Sequence, residues 1–123
     1  MSLKRVHLHL AALLLGLLLF APGQAAADSR FAEAIPDLPL MHGLVEQPGA
    51  VVFDKPSGRI VEMEASGPLS QPEVEAFYRR TLPSLGWEPA GAMLYRRGQE
   101  QLRLVFQPGA ERVTVRFVLS PRE

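Results

Sequence analysis

The stretch Ser70-Gln71-Pro72-Glu73-Val74-Glu75-Ala76-Phe77-Tyr78-Arg79-Arg80-Thr81-Leu82-Pro83-Ser84-Leu85-Gly86-Trp87 decides how this chain folds, because it carries both ends of one helix. Ser70 followed three residues later by Glu73 is a capping box, in which each residue satisfies an unpaired backbone N–H of the other. Pro72 is tolerated in the first turn, where its missing N–H is not needed. Val74, Phe77, Tyr78, Leu82 and Leu85 recur at spacings of three or four, which puts one apolar stripe against a core. Arg79 and Arg80 fall in the later turns, where positive charge suits the negative end of the helix dipole. Pro83 kinks or stops the helix. Gly86 is a natural C-cap, and Trp87 just past it is placed to fold back on the helix end.

On either side of this helix the apolar period changes from 3.6 to 2. Upstream, Ala50-Val51-Val52-Phe53-Asp54 is β-branched and aromatic, which suits a strand. Lys55-Pro56-Ser57-Gly58 supplies a turn. Arg59 to Ala65 then alternates, with Val61, Met63 and Ala65 on one face and Glu62 and Glu64 on the other, so the pair predicts a hairpin with one wet face. Downstream, three strands are predicted: Gly91–Arg96, Gln101–Phe106 and Glu111–Leu119. In the last two, Leu102, Leu104, Phe106 and Val113, Val115, Phe117, Leu119 mark the core side. The predicted order is β-β-α-β-β-β. Short connections imply antiparallel neighbours, and the single helix is available to cover the apolar face. The expected fold is α+β and two-layered: an antiparallel sheet of about five strands with one helix packed on one face.

Further out lies an apolar stretch, residues 28–49, punctuated by Pro36, Pro39, Gly43, Pro48 and Gly49. It reads as an extended arm ahead of a compact domain over 50–123. Two readings stay open for Ile35, Leu38, Leu40, Met41, Leu44 and Val45: they lie over the domain's own core, or they await a partner. The first is the expectation, because large exposed apolar patches are uncommon on monomers.

The N-terminal end, residues 1–27, has the three parts of a cleavable signal peptide. Lys4 and Arg5 form the positive region, Leu8 to Phe20 the apolar run, and Ala25-Ala26-Ala27 the cleavage site, leaving Asp28 as the mature N-terminus. Thirteen residues from Leu8 to Phe20 fall short of the roughly 20 a spanning helix needs. The chain has no cysteine, so neither lipid anchoring nor disulfide stapling is expected. Removing 27 of 123 residues leaves 96, with 11 basic side chains against 13 acidic, a formal charge of −2. That balance argues against nucleic acid as a partner, which calls for a concentrated basic surface.

The segment Phe77-Tyr78-Arg79-Arg80-Thr81-Leu82-Pro83-Ser84-Leu85-Gly86-Trp87 resembles the F-Y-x-x-x-L/M-P-x-x-G-W helix end of small, mostly uncharacterised exported proteins of Gram-negative bacteria. Asp37-Leu38-Pro39-Leu40-Met41 and Val52-Phe53-Asp54-Lys55-Pro56-Ser57-Gly58-Arg59 are similar to the same group. The resemblance spans most of residues 36–119. It implies a periplasmic location, and it implies no activity and no catalytic residue.

The mature chain keeps one histidine, His42, in the Pro/Gly-rich arm, and no G-x-S-x-G elbow. Catalysis needs several cooperating groups, so no enzyme is expected, and neither a cofactor nor a metal. Glu62 and Glu64 share a strand face and read as solvated partners of Arg103 or Arg116. The candidate binding residues are Arg79, Arg80, Arg96 and Arg97, as a patch that reads an anion, and Trp87 and Tyr95, as the wall of a ligand groove. Against these stand plainer roles as helix-end and strand-edge charges and as core aromatics. The function expected is a non-enzymatic periplasmic binding or protein-interaction module whose arm or sheet edge meets an envelope protein partner. The alternative is a small-ligand or lipid-binding envelope domain with a pocket between helix and sheet, Arg96 and Arg97 at its mouth.

Overall fold

Strict alternation in the longest strands builds the fold around one apolar sheet face. The computed structural model describes residues 30–122, so the expected leader over 1–27 lies outside the described residues. Seven strands form one antiparallel sheet: β1 (Val45–Glu46), β2 (Val51–Lys55), β3 (Gly58–Gly67), β4 (Glu88–Gly91), β5 (Leu94–Arg97), β6 (Glu100–Pro108) and β7 (Val113–Pro121). Their spatial order is β1-β3-β7-β6-β5-β4, and β2 also pairs with β3. Val61, Met63 and Ala65 of β3, Val113, Val115, Phe117 and Leu119 of β7, and Leu102 and Leu104 of β6 are all buried. The registers align these positions row by row, Met63 with Phe117 and Phe117 with Leu104. On the other face the expected charge pair forms, with Arg116 Nε 3.5 Å from a Glu64 carboxylate oxygen.

The helix α1 runs Gln71–Thr81. Its capping box closes as the sequence predicts: Glu73 N–H donates to Ser70 Oγ at 3.3 Å, and Ser70 N–H donates to the Glu73 carboxylate at 2.8 Å. The bond from the Ser70 backbone, then that with its side chain, holds the Glu73 carboxyl below its ordinary range. After Thr81 the chain tightens into a 3₁₀ turn over Leu82–Leu85 and ends on Gly86 at φ +90°. This change, at Pro83, alters the predicted stripe. Val74, Tyr78 and Leu82 are buried and Phe77 half-buried, but Leu85 is 38% exposed.

Two strands were not predicted. β4 is Glu-Pro-Ala-Gly, without a β-branched or aromatic residue. The stretch expected as one strand from Gly91 to Arg96 is the end of β4, a turn at Ala92-Met93 with Met93 at φ +49°, and then β5. β1 is only two residues long and sits among the arm's prolines and glycines.

The arm is a loop closed on itself rather than an extended segment. Ala32 N–H donates to Leu38 C=O at 2.9 Å and Leu40 N–H to Arg30 C=O at 2.8 Å. Glu46 of β1 reaches back, its carboxylate accepting from the N–H groups of Glu33 and Ala34 at 2.6 and 3.1 Å. Arg30 donates to Leu44 C=O at 2.7 Å. Closing the loop buries Ala32, Ile35, Leu38, Leu40 and Leu44 in the same core as α1 and the sheet. The buried Tyr78 hydroxyl joins the two parts, donating to Pro39 C=O at 2.8 Å. Burial raises its pKa, although the Met41 N–H, which donates to the hydroxyl at 3.4 Å, opposes this. The layer over the sheet is therefore helix plus arm, and Ile35, Leu38, Leu40 and Leu44 are core rather than an offered surface. Among the described residues, no helix is long and apolar enough to cross a membrane.

Candidate functional site

The residues singled out as a binding patch are only partly brought together. Arg96 and Arg97 are neighbours on β5, and side chains alternate along a strand, so they leave on opposite faces of the sheet. Arg97 lies on the helix side, its guanidinium 4.2 Å from the Trp87 ring centroid and paired with Asp37 of the arm. It also donates to Leu85 C=O at 3.3 Å. Arg96 shares the far face with Gln101 and Glu88. Arg79 is paired along its own helix with Glu75 at 3.9 Å, and Arg80 is exposed. Trp87 and Tyr95 are buried core residues rather than a groove wall. Burial raises the Tyr95 pKa, opposed by the charge of Arg79 and reinforced by that of Glu75. The pocket expected between helix and sheet is occupied by side chains, with Tyr78 edge-on to Phe117 at 5.2 Å between ring centroids. His42 is exposed in the turn before β1.

What the fold does leave open is one edge of the sheet. β1 and β2 lie end to end along the side of β3 that faces away from β7. Gln47 N–H still bonds Glu64 C=O at 2.8 Å, and Val51 is already opposite Glu62. Pro48, Gly49 and Ala50 therefore all face the single residue Met63, and this bulge splits the edge in two. Gly49, at φ +98°, supplies the bend.

The two parts of this edge differ. Beside β1 the arm folds over, held by Glu46. Along β2 nothing among the described residues covers the strand: all five residues are exposed, with Val51 at 41%, Val52 at 58% and Phe53 at 57%. Register explains why both faces are bare. Val52 faces the helix side, opposite Val61, and Phe53 the far side, opposite Ile60. β7 pairs with β3 only from Val61 onward, so the outer half of β2 rests on a part of β3 with no further strand beyond it. Between the arm and the bulge runs a groove of about 820 Å³. Phe31, Ala34, Val45 and Val52 line it, and Pro48-Gly49-Ala50 borders it. Phe31 and Val45 are also exposed.

The chemistry of this site is that of a docking edge. An edge strand presents unpaired N–H and C=O groups, and here three consecutive large apolar side chains accompany them. The sequence held one sign of it. Val51-Val52-Phe53 is a continuous apolar run, which suits a strand buried on both faces, yet it opens a hairpin predicted to have one wet face. No family model, curated protein or solved structure matches this chain.

Proposed function

We propose that this chain is an exported, periplasmic protein-interaction module, with no catalytic role, that binds a partner by adding a strand at β2. The carrying observation is the unpaired, uncovered Val51-Val52-Phe53 edge. The positive, apolar and small-residue parts of residues 1–27 support export. The helix-end resemblance supports membership of a group of small exported proteins. Strand addition gives affinity through main-chain hydrogen bonds and selectivity through alternate side chains, and the groove beside Val52 is positioned to take such side chains.

The test uses protein released from the periplasm by osmotic shock. The expected product begins at Asp28, and on size exclusion it elutes larger than a single chain. Val52→Pro removes one N–H from the edge, and the variant is expected to elute as a monomer. An uncleaved chain retained in the cytoplasm overturns the export reading. Equal elution of wild type and variant overturns the edge reading.

A further inference from the structure

We infer that the partner added at β2 is a second copy of this chain, paired antiparallel about a two-fold axis through Phe53. The inference rests on the open-edge reading above and names its occupant. It follows from the register of the β2–β3 hairpin. Lys55 is opposite Gly58 across a two-residue turn, so Lys55, Phe53 and Val51 exchange backbone bonds with β3. Val52 and Asp54 then direct their N–H and C=O groups outward.

A symmetric antiparallel pair that continues the sheet must set one residue on the axis, because directly opposite side chains share a face and a one-residue slip reverses them. An axis through Asp54 sets two carboxylates against each other, and one through Lys55 two ammonium groups. An axis through Val52 carries Asp54 past the end of the partner strand into its bulge. With Phe53 on the axis, all five residues pair. Val52 of each copy bonds Asp54 of the other, and both present outward backbone groups, as the ladder requires.

The side chains agree with this register. On the far face one row reads Ile60, Phe53, then Phe53 and Ile60 of the second copy, and aromatic and β-branched cross-strand pairs of this kind are favourable. The next row places Lys55 of one copy beside Val51 of the other, with the exposed Glu62 in the same row. Asp54 has its own Arg59 as cross-strand neighbour. The hairpin tip Pro56-Ser57 of each copy runs toward the bulge and groove of the other. The interface is self-complementary, as a two-fold contact must be. Five residues a side make a small interface, which predicts a weak, concentration-dependent dimer.

The test is a photoreactive phenylalanine analogue at position 53 of the full chain, expressed and exported in the cell. The expected result is an adduct of twice the chain's mass, lost when Val52→Pro is combined with it. An adduct of a different mass only, also lost with Val52→Pro, overturns the second copy as occupant and keeps the open edge as the binding element. Absence of any adduct, or equal adducts with the analogue at Val105, overturns both. A second variant removes dependence on how Val52→Pro folds. The chain has no cysteine, so Phe53→Cys is expected to give a disulfide-linked dimer across the axis, where opposing Cα atoms lie about 4.5 Å apart. Val105→Cys is expected to stay monomeric, and equal crosslinking at the two positions counts against the inference.

Discussion

The two edges of this sheet were finished differently. β4, Glu88-Pro89-Ala90-Gly91, is short, carries a proline that cannot donate, and presents no large apolar side chain. It follows directly on Trp87, which Arg97 covers and Asp37 of the arm ties down. At the opposite edge the arm guards only β1, through Glu46 and Arg30. β2 carries Val51-Val52-Phe53 with no proline inside it and, among the described residues, no cover. An exposed apolar edge is a template for unwanted pairing. One edge is short, proline-bearing and without large apolar groups, whereas the other has Val51-Val52-Phe53 uncovered among the described residues, so that stretch is where binding is expected.

The arm reaches toward both edges, through Asp37 to Arg97 and through Glu33 and Ala34 to Glu46, so its removal has the largest expected effect. Ile35, Leu38, Leu40 and Leu44 are buried. Each such side chain contributes about 1.5–3 kcal/mol, together as much as the whole stability of a domain this size, about 5–14 kcal/mol. Deleting residues 28–47 is expected to abolish the cooperative thermal transition followed by circular dichroism. A truncated chain that still melts sharply would make the arm a separable cover and the guarded half of the edge a second binding surface.

A smaller and more local effect is expected at Gly67, the last residue of β3. A Cβ there would stand 2.0 Å from the Gly43 carbonyl oxygen, so the arm's turn lies directly on the end of the strand. The approach is backbone against backbone and has no flexible side chain to give way. Gly67→Ala is expected to cost about 3 kcal/mol, the upper range for overpacking, read as a lower denaturant midpoint with an unchanged slope. Loss of less than about 1 kcal/mol would show that the arm shifts freely over β1, and the distinction between the guarded and bare halves would then weaken.

What was legible in the sequence follows from how local each signal is. The capping box, the Gly86 stop and the alternation of β3, β6 and β7 are set within a few residues, and each appears where its pattern placed it. β1 and β4 carry no such pattern. Glu88-Pro89-Ala90-Gly91 is a strand because β5 pairs with it. The candidate residues are divided for a related reason. Arg96-Arg97 looks like one charge pair along the chain, but strand geometry divides it between two faces. Val51-Val52-Phe53 looks like interior, but it lies on the outer side of β3, with Phe53 beyond the last overlap with β7, and this leaves it outside. Exposure of that kind depends on which strand lies next, and no window of sequence contains that.

The edges differ in two things, backbone groups and apolar side chains, and substitutions separate them. Val52→Pro removes an outward N–H from β2 and leaves its apolar neighbours. Phe53→Ser keeps the backbone and removes the side chain on the proposed axis. Both positions are exposed edge residues, so the stability change for Phe53→Ser is expected within about 0.5 kcal/mol, the ordinary range for surface sites, and an edge strand tolerates the proline of Val52→Pro. Association measured by sedimentation over a concentration series is expected to fall in both. Pro89→Val does the reverse at the other edge, restoring a donor to a strand without large apolar groups. In a Val52→Pro background it is expected to leave the chain monomeric, because hydrogen bonds exchanged with water contribute little net, and β4 has no apolar surface to bury. Dimerisation of that double variant would mean that an available backbone suffices, and that proline alone distinguishes the closed edge from the open one. A monomer would place the difference in Val51, Val52 and Phe53, the side chains whose exposure first set the two edges apart.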